Sequence, residues 1–244
     1  MQAQKADIVA RLRKEVLTLQ GFKGIVEQRQ QQTDLSSIEN NFPNRKFPTG
    51  AIHEFVSDSP EHAVATNCFI ASLLSKLTRR KGICLWVSTN RTIYPPALKS
   101  YGIDPENLVF IDLIKPKEAL WVIEEALKCE ALVAVVGEIQ ELGFTESRRL
   151  QLAVEHSDVT GFIHRFKPKN KNAVASVARW SIKILPSTPI DDLPGVGFPK
   201  WHVQLLKVRN GIPGAWQVEW NTNTFSVTAD KAVSIPAIHK SRTA

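Results

Sequence analysis

Across residues 57–64 the chain reads Ser57-Asp58-Ser59-Pro60-Glu61-His62-Ala63-Val64, without a glycine and without a lysine. The flanks are those of a phosphate loop, because residues 51–56 read as a strand and the stretch from Ala63 onward has helical periodicity. A phosphate cradle needs glycines, so that successive backbone N–H groups turn inward, and a lysine to reach the β- and γ-phosphates. Asp58 and Glu61 would instead repel a triphosphate. Two readings of the stretch stay open. One is a degenerate nucleotide site; the other is a plain strand-to-helix turn, with Ser59 as cap and Pro60 at the first helical position. No apolar run approaches the ~20 residues of a membrane helix, and the N-terminus carries no apolar signal segment, so a cytoplasmic protein without membrane contact is expected. The three cysteines, Cys68, Cys84 and Cys129, are odd in number and lack CxxC or Cys/His ligand spacing. They are expected as buried free thiols of a reducing compartment. Acidic clusters that could hold a metal are missing as well, and neither metal nor cofactor is expected.

With 244 residues, 43% of them hydrophobic and 23% charged, the chain is long enough for one α/β domain and an appendage. A net charge of +7 favours polyanionic partners. Ile8, Leu12, Val16 and Leu19 fall on one face of an amphipathic helix, which Gly21 ends. The polar stretch from Gln28 through Pro43 and Pro48 reads as a linker or a loosely docked segment, and the compact domain is expected from about Phe47. The resulting division is 1–46 for helix and linker, 47–230 for the core, and 231–244 for a tail. Within the core, short runs rich in β-branched residues at 51–56, 83–88, 108–112, 132–136 and 161–164 alternate with helical stretches at 63–80, 116–129 and 145–156. That is the pattern of βα units and a mainly parallel sheet. Beyond residue 172 it turns to strands at 175–185, 201–209, 215–220 and 225–228, separated by Pro and Gly turns. The expected fold class is α/β, a mostly parallel central sheet flanked by helices and followed by C-terminal antiparallel strands.

That order resembles the core of the RecA recombinase, as do the strings Cys84-Leu85-Trp86-Val87, Gly102-Ile103-Asp104-Pro105-Glu106-Asn107-Leu108 and Lys207-Val208-Arg209-Asn210. Six further strings resemble the ImuA family, RecA-related proteins of bacterial translesion mutagenesis. They are Phe47-Pro48-Thr49-Gly50-Ala51-Ile52-His53-Glu54, Glu118-Ala119-Leu120-Trp121, Val135-Val136-Gly137-Glu138, Ser147-Arg148-Arg149-Leu150-Gln151-Leu152-Ala153, Ala178-Arg179-Trp180 and Pro213-Gly214-Ala215-Trp216. The resemblance spans about residues 47–221 and implies a RecA-like core. It places the phosphate-loop lysine and threonine on Ala63 and Val64, the water-activating glutamate near Asn90, and the magnesium aspartate on Gly137, beside Glu138. The γ-phosphate-sensing glutamine falls on Arg165, and of two paired lysines Arg209 keeps a cation while Gly211 does not. Phosphoryl transfer relies on these groups together, so a non-catalytic protein is expected.

Arg165 opens the densest basic loop, Phe166-Lys167-Pro168-Lys169-Asn170-Lys171-Asn172, which falls where the resemblance puts a loop contacting single-stranded DNA. Arg165, Lys167, Lys169 and Lys171 are therefore candidate phosphate contacts, extended by Arg148, Arg149 and Arg209; plain solvated cations are the alternative. One of Arg148 and Arg149 could instead turn inward to Glu138 or Glu155. Most of the six tryptophans are expected in the core. Trp201, flanked by Lys200 and His202, is the candidate exposed partner anchor. His53 and Glu54 read as a strand-end polar pair. The resemblance implies an adaptor of the SOS response, with an ImuB-like protein, RecA and an error-prone polymerase subunit as partners and Ile8, Leu12 and Val16 as a docking face. Its rivals are a SulA-like cell-division inhibitor, a weak DNA-dependent ATPase and a filament subunit.

Overall fold

The computed structural model describes Leu12 and residues 35–78, 82–170, 174–187 and 196–229. Ser59 is extended at φ −131° and accepts the His62 N–H, and Pro60 supplies a pre-set φ, so helix α2 (Pro60–Leu77) begins where sequence places it. It follows strand β1 (Ile52–Ser57), whose six residues are all buried, the mark of a parallel strand covered on both faces. Before them lies a single turn, α1 (Ser36–Glu39). After them come β2 (Ile83–Ser88), β3 (Leu108–Asp112), α3 (Pro116–Leu127), β4 (Leu132–Ile139), α4 (Phe144–Ser157) and β5 (Thr160–Phe166). Four strands close the described chain: β6 (Ala178–Leu185), β7 (Lys200–Val208), β8 (Gly214–Asn221) and β9 (Thr224–Ala229).

All nine described strands form one sheet in the order β3-β2-β4-β5-β1-β6-β7-β8-β9. The fold is mixed α/β, with a mostly parallel centre, flanking helices and C-terminal antiparallel strands. The change of direction comes one strand later than expected. β6 still runs parallel to β1, pairing Phe55 with Trp180, and only its other edge is antiparallel, to β7.

Helix α2 covers one face against β1, β5 and β6, while α3 and α4 cover the other. Strand alternation sorts the core accordingly. Phe55, Trp86, Val136, Phe162 and Trp180 face α2, whereas Ile52, Val87, Val135 and Ile163 face α3 and α4. Gly137 lets α3 approach β4 closely, because a Cβ there would lie 2.4 Å from Ile123 Cδ1.

Three expectations change. Leu35, Ile38 and Phe42 are buried in the α2-side core, and Asn41 Nδ2 donates to the Ile212 carbonyl at 2.7 Å, so packing begins ahead of Phe47 and inside the stretch that reads as a linker. Trp201 is 2% exposed, edge-on to Phe69 at 5.7 Å, because alternation on β7 turns Trp201, Val203 and Leu205 toward α2. It is a core residue and no surface anchor; the exposed tryptophan is Trp121 on α3, at 61%. Cys129, just beyond α3, is also exposed, while Cys84 is buried and Cys68 half-buried, all three as free thiols.

Candidate functional site

Ligands of open α/β sheets sit at the carboxyl ends of the parallel strands. Here those ends hold a chain of buried polar side chains on the α2 face. Ser57 closes β1, His164 lies near the end of β5, Glu138 near the end of β4, and Ser88 closes β2; Asn67 reaches down from α2. Ser57 Oγ lies 2.5 Å from His164 Nε2, and His164 Nδ1 lies 2.8 Å from Asn67 Oδ1. Asn67 Nδ2 donates to Glu138 Oε1 at 2.6 Å and to Thr92 Oγ1 at 3.0 Å. Ser88 Oγ donates to Glu138 Oε2 at 2.8 Å and accepts the Asn90 N–H at 3.1 Å.

The directions follow from the donors. Because the Asn67 amide nitrogen is spent on Glu138 and Thr92, its oxygen must accept, so His164 carries its proton on Nδ1 and accepts the Ser57 hydroxyl at Nε2. Burial pushes the His164 pKa down to about 4, which keeps the ring neutral. Burial also raises the Glu138 carboxyl, opposed by its bonds from Ser88 and Asn67. Every strand end thus has a protein partner, where a triphosphate would need inward-facing backbone N–H groups.

The turn above is acidic. His62 Nδ1 lies 2.9 Å from Asp58 Oδ1, and a hydrogen bond from Ser59 holds the Glu61 carboxyl below its ordinary range. Ala63 is buried and Val64 exposed, so the two positions where resemblance puts a lysine and a threonine offer only apolar groups. Gly137 faces Ile123, and Glu138 points to the opposite face of the sheet. Among the described residues, no cluster of three or more His, Cys, Asp or Glu could hold a metal ion, and no helix is long and apolar enough to cross a membrane.

The candidate cations divide. Arg165 is fully buried, with Nη1 on Glu54 Oε1 at 2.8 Å. This corrects its reading as a surface phosphate contact: Arg165 falls on the α4 face of β5, under the loop it opens. Lys167 and Lys169 are exposed on that loop. Arg149 is exposed and pairs with Glu124 of α3 at 2.6 Å, rather than with Glu138 or Glu155. Arg148 and Arg209 come together beside Glu155; burial first, and then the Arg148 charge, lowers the Arg209 pKa. Arg209 donates its N–H to the Val177 carbonyl, at the amino ends of the parallel strands. It therefore lies at the opposite end of the strands from Lys167 and Lys169, and the six described cations form no single patch. Lys171, Ile8 and Val16 lie outside the described residues, while Leu12 is helical and 53% exposed.

His53 and Glu54 are fully buried and face opposite ways. His53 Nε2 donates to the Pro48 carbonyl at 2.7 Å, its ring stacks on Phe47 at 4.4 Å, and its Nδ1 accepts from Trp180 Nε1 at 3.3 Å. Glu54 holds Arg165 and Arg179. Sequence reasoning missed Asn67, Ser88 and His164. Their signal is one of register: polar residues at matching depths of neighbouring strands, visible only once those neighbours are known.

No family model matches the chain. Protein ImuA of Caulobacter vibrioides, in two strains, is 33% identical over 192 residues, covering 74% of this chain and 79% of the relative. The strings that resemble that family lie along the elements just described, and at this identity and coverage the chain belongs to the ImuA family.

Proposed function

We propose that the chain is a non-catalytic accessory protein of translesion DNA synthesis, the process with which the ImuA family is associated. It acts in the cytoplasm as an adaptor for an ImuB-like protein, RecA or an error-prone polymerase subunit, and it touches single-stranded DNA through Lys167 and Lys169. One observation carries the non-catalytic reading. The strand ends are occupied by Ser57, His164, Asn67, Glu138 and Ser88, each hydrogen-bonded to another protein group. Opening that network for a triphosphate would orphan several buried polar groups at a cost of about 1–3 kcal/mol each. Exposed apolar side chains supply the adaptor's means: Leu12 on the N-terminal segment and Trp121 on α3. Large aromatics at the surface are favoured anchors of protein interfaces.

Co-purification with each of the three candidate partners, combined with an ATP titration of the same sample, tests the reading. Partner capture without nucleotide affinity is the expected result. Micromolar ATP binding with turnover stimulated by single-stranded DNA overturns it in favour of an ATPase, and capture of FtsZ alone favours a division inhibitor. A mass that grows with protein concentration, without partner capture, points to a filament subunit.

A further inference from the structure

Arg165 lies near the end of β5 with no exposure to water. A guanidinium tolerates that only among carboxylates and carbonyls. Its Nη1 reaches Glu54 Oε1 at 2.8 Å, and the other oxygen of Glu54 takes Arg179 Nε at 2.5 Å. These residues come from β5, β1 and β6, three adjacent strands. The other Arg165 nitrogens reach the loops. Nη2 donates to the Asn170 carbonyl at 2.7 Å and lies 3.6 Å from Glu141 Oε2, and Nε donates to the Gln140 carbonyl at 3.4 Å. One side chain thus joins the sheet interior to the loops leaving β4 and β5.

The lysine-bearing loop is tied along its backbone too. The Lys167 N–H donates to the Ser57 carbonyl at 2.8 Å, the Lys167 carbonyl accepts from Gln140 Nε2 at 3.1 Å, and the Lys169 N–H donates to Glu141 Oε1 at 2.6 Å. Lys167 is left-handed, at φ 47°, a conformation that a lysine adopts only where the surroundings over-determine it. Two glutamates balance two arginines in this cluster; outside it Lys167 and Lys169 are exposed, with the Lys167 ammonium 5.3 Å over the Phe166 ring and near the Glu61 carboxylate.

Resting on the reading of this loop as a DNA contact, we propose that Glu54, Arg165, Arg179, Gln140 and Glu141 are positioning residues that hold residues 166–170 in one shape without a nucleotide. Lys167 and Lys169 then meet a phosphodiester backbone as two cations at fixed spacing, and folding rather than binding bears the ordering cost.

Glu141 is the residue to change, because it is exposed and its loss spares the buried pairs of Glu54 with Arg165 and Arg179. Glu141→Ala removes the acceptor for the Lys169 N–H, whereas Glu141→Gln keeps an oxygen there. Amide hydrogen exchange at Lys167 and Lys169 is measured alongside affinity for a fluorescent oligothymidylate, with and without ATP and magnesium. Glu141→Ala is expected to speed exchange at Lys169 on the order of tenfold and to weaken oligothymidylate binding about threefold, with a small fall in Tm as Arg165 loses its second carboxylate. Glu141→Gln should match the parent on both, and ATP should alter neither in the parent. Amides in the parent that exchange like an unstructured chain, or slow only on adding ATP, overturn the clamp. Protected amides that loosen in Glu141→Ala, with no oligothymidylate bound by the parent, uphold the clamp and overturn the DNA reading.

Discussion

His164 and Arg165 are neighbours on one strand, yet they belong to opposite kinds of interior. On the α2 face, His164 is a neutral ring in a line of hydrogen bonds running from Ser57 to Ser88. On the α4 face, Arg165 is one of two guanidinium groups sharing the Glu54 carboxylate. Strand alternation alone separates them. A line of hydrogen bonds breaks one member at a time, whereas an ion cluster loses its balance with any single member.

Acid is the widest-reaching way to test the contrast. Burial lowers His164 to about 4 and, for the same reason, His53 to about 4, against 6.5 in the unfolded chain. The unfolded state therefore takes up protons first, and stability present above pH 6.5 falls away toward pH 4, by roughly 3 kcal/mol for each histidine. Glu138, raised by burial, acts in the opposite sense, favouring the fold as pH drops through its range. Urea denaturation at pH 7 and pH 4 should show the loss, and His164→Gln should remove about half of the histidine part; a slope unchanged in that variant would break the assignment.

Next in size is Glu54→Ala, which leaves two arginines to one remaining carboxylate, Glu141 at 3.6 Å from Arg165. A loss of about 3–5 kcal/mol is expected, read as a fall in denaturation midpoint, with Glu54→Gln recovering only part. Ser88→Ala should cost less, about 1.5–3 kcal/mol, since one hydrogen bond to the Glu138 carboxylate disappears and the rest of its line stays. A larger effect than that of Glu54→Ala would reverse the ranking of the two faces. Smallest in stability is the double variant Lys167→Ala with Lys169→Ala, within about 0.5 kcal/mol of the parent. Its signature lies in the salt dependence of oligothymidylate binding, whose slope should flatten by about 2.

Much of this architecture is legible from local pattern. Helical and strand periodicities place β1 to β5 and the helices between them, Ser59-Pro60 reads correctly as a helix start, and the lack of glycine and lysine shows in eight residues. What stays hidden is adjacency. Ser57 and His164 are 107 residues apart, and Glu54 and Arg179 are 125 apart. Nothing within a window of either strand says that β1 lies between β5 and β6. Trp201 and Arg165 mislead for the same reason. A tryptophan flanked by polar residues and an arginine opening a basic loop both look exposed, until the neighbouring strand shows which way alternation turns them.

Helix α3 lies close enough on β4 for Ile123 to fill the space that a side chain at position 137 would need. An aspartate at 137 would demand a smaller residue at 123 in the same event, and a lysine at 63 would have to leave a buried position. Either change made alone would strain the interior.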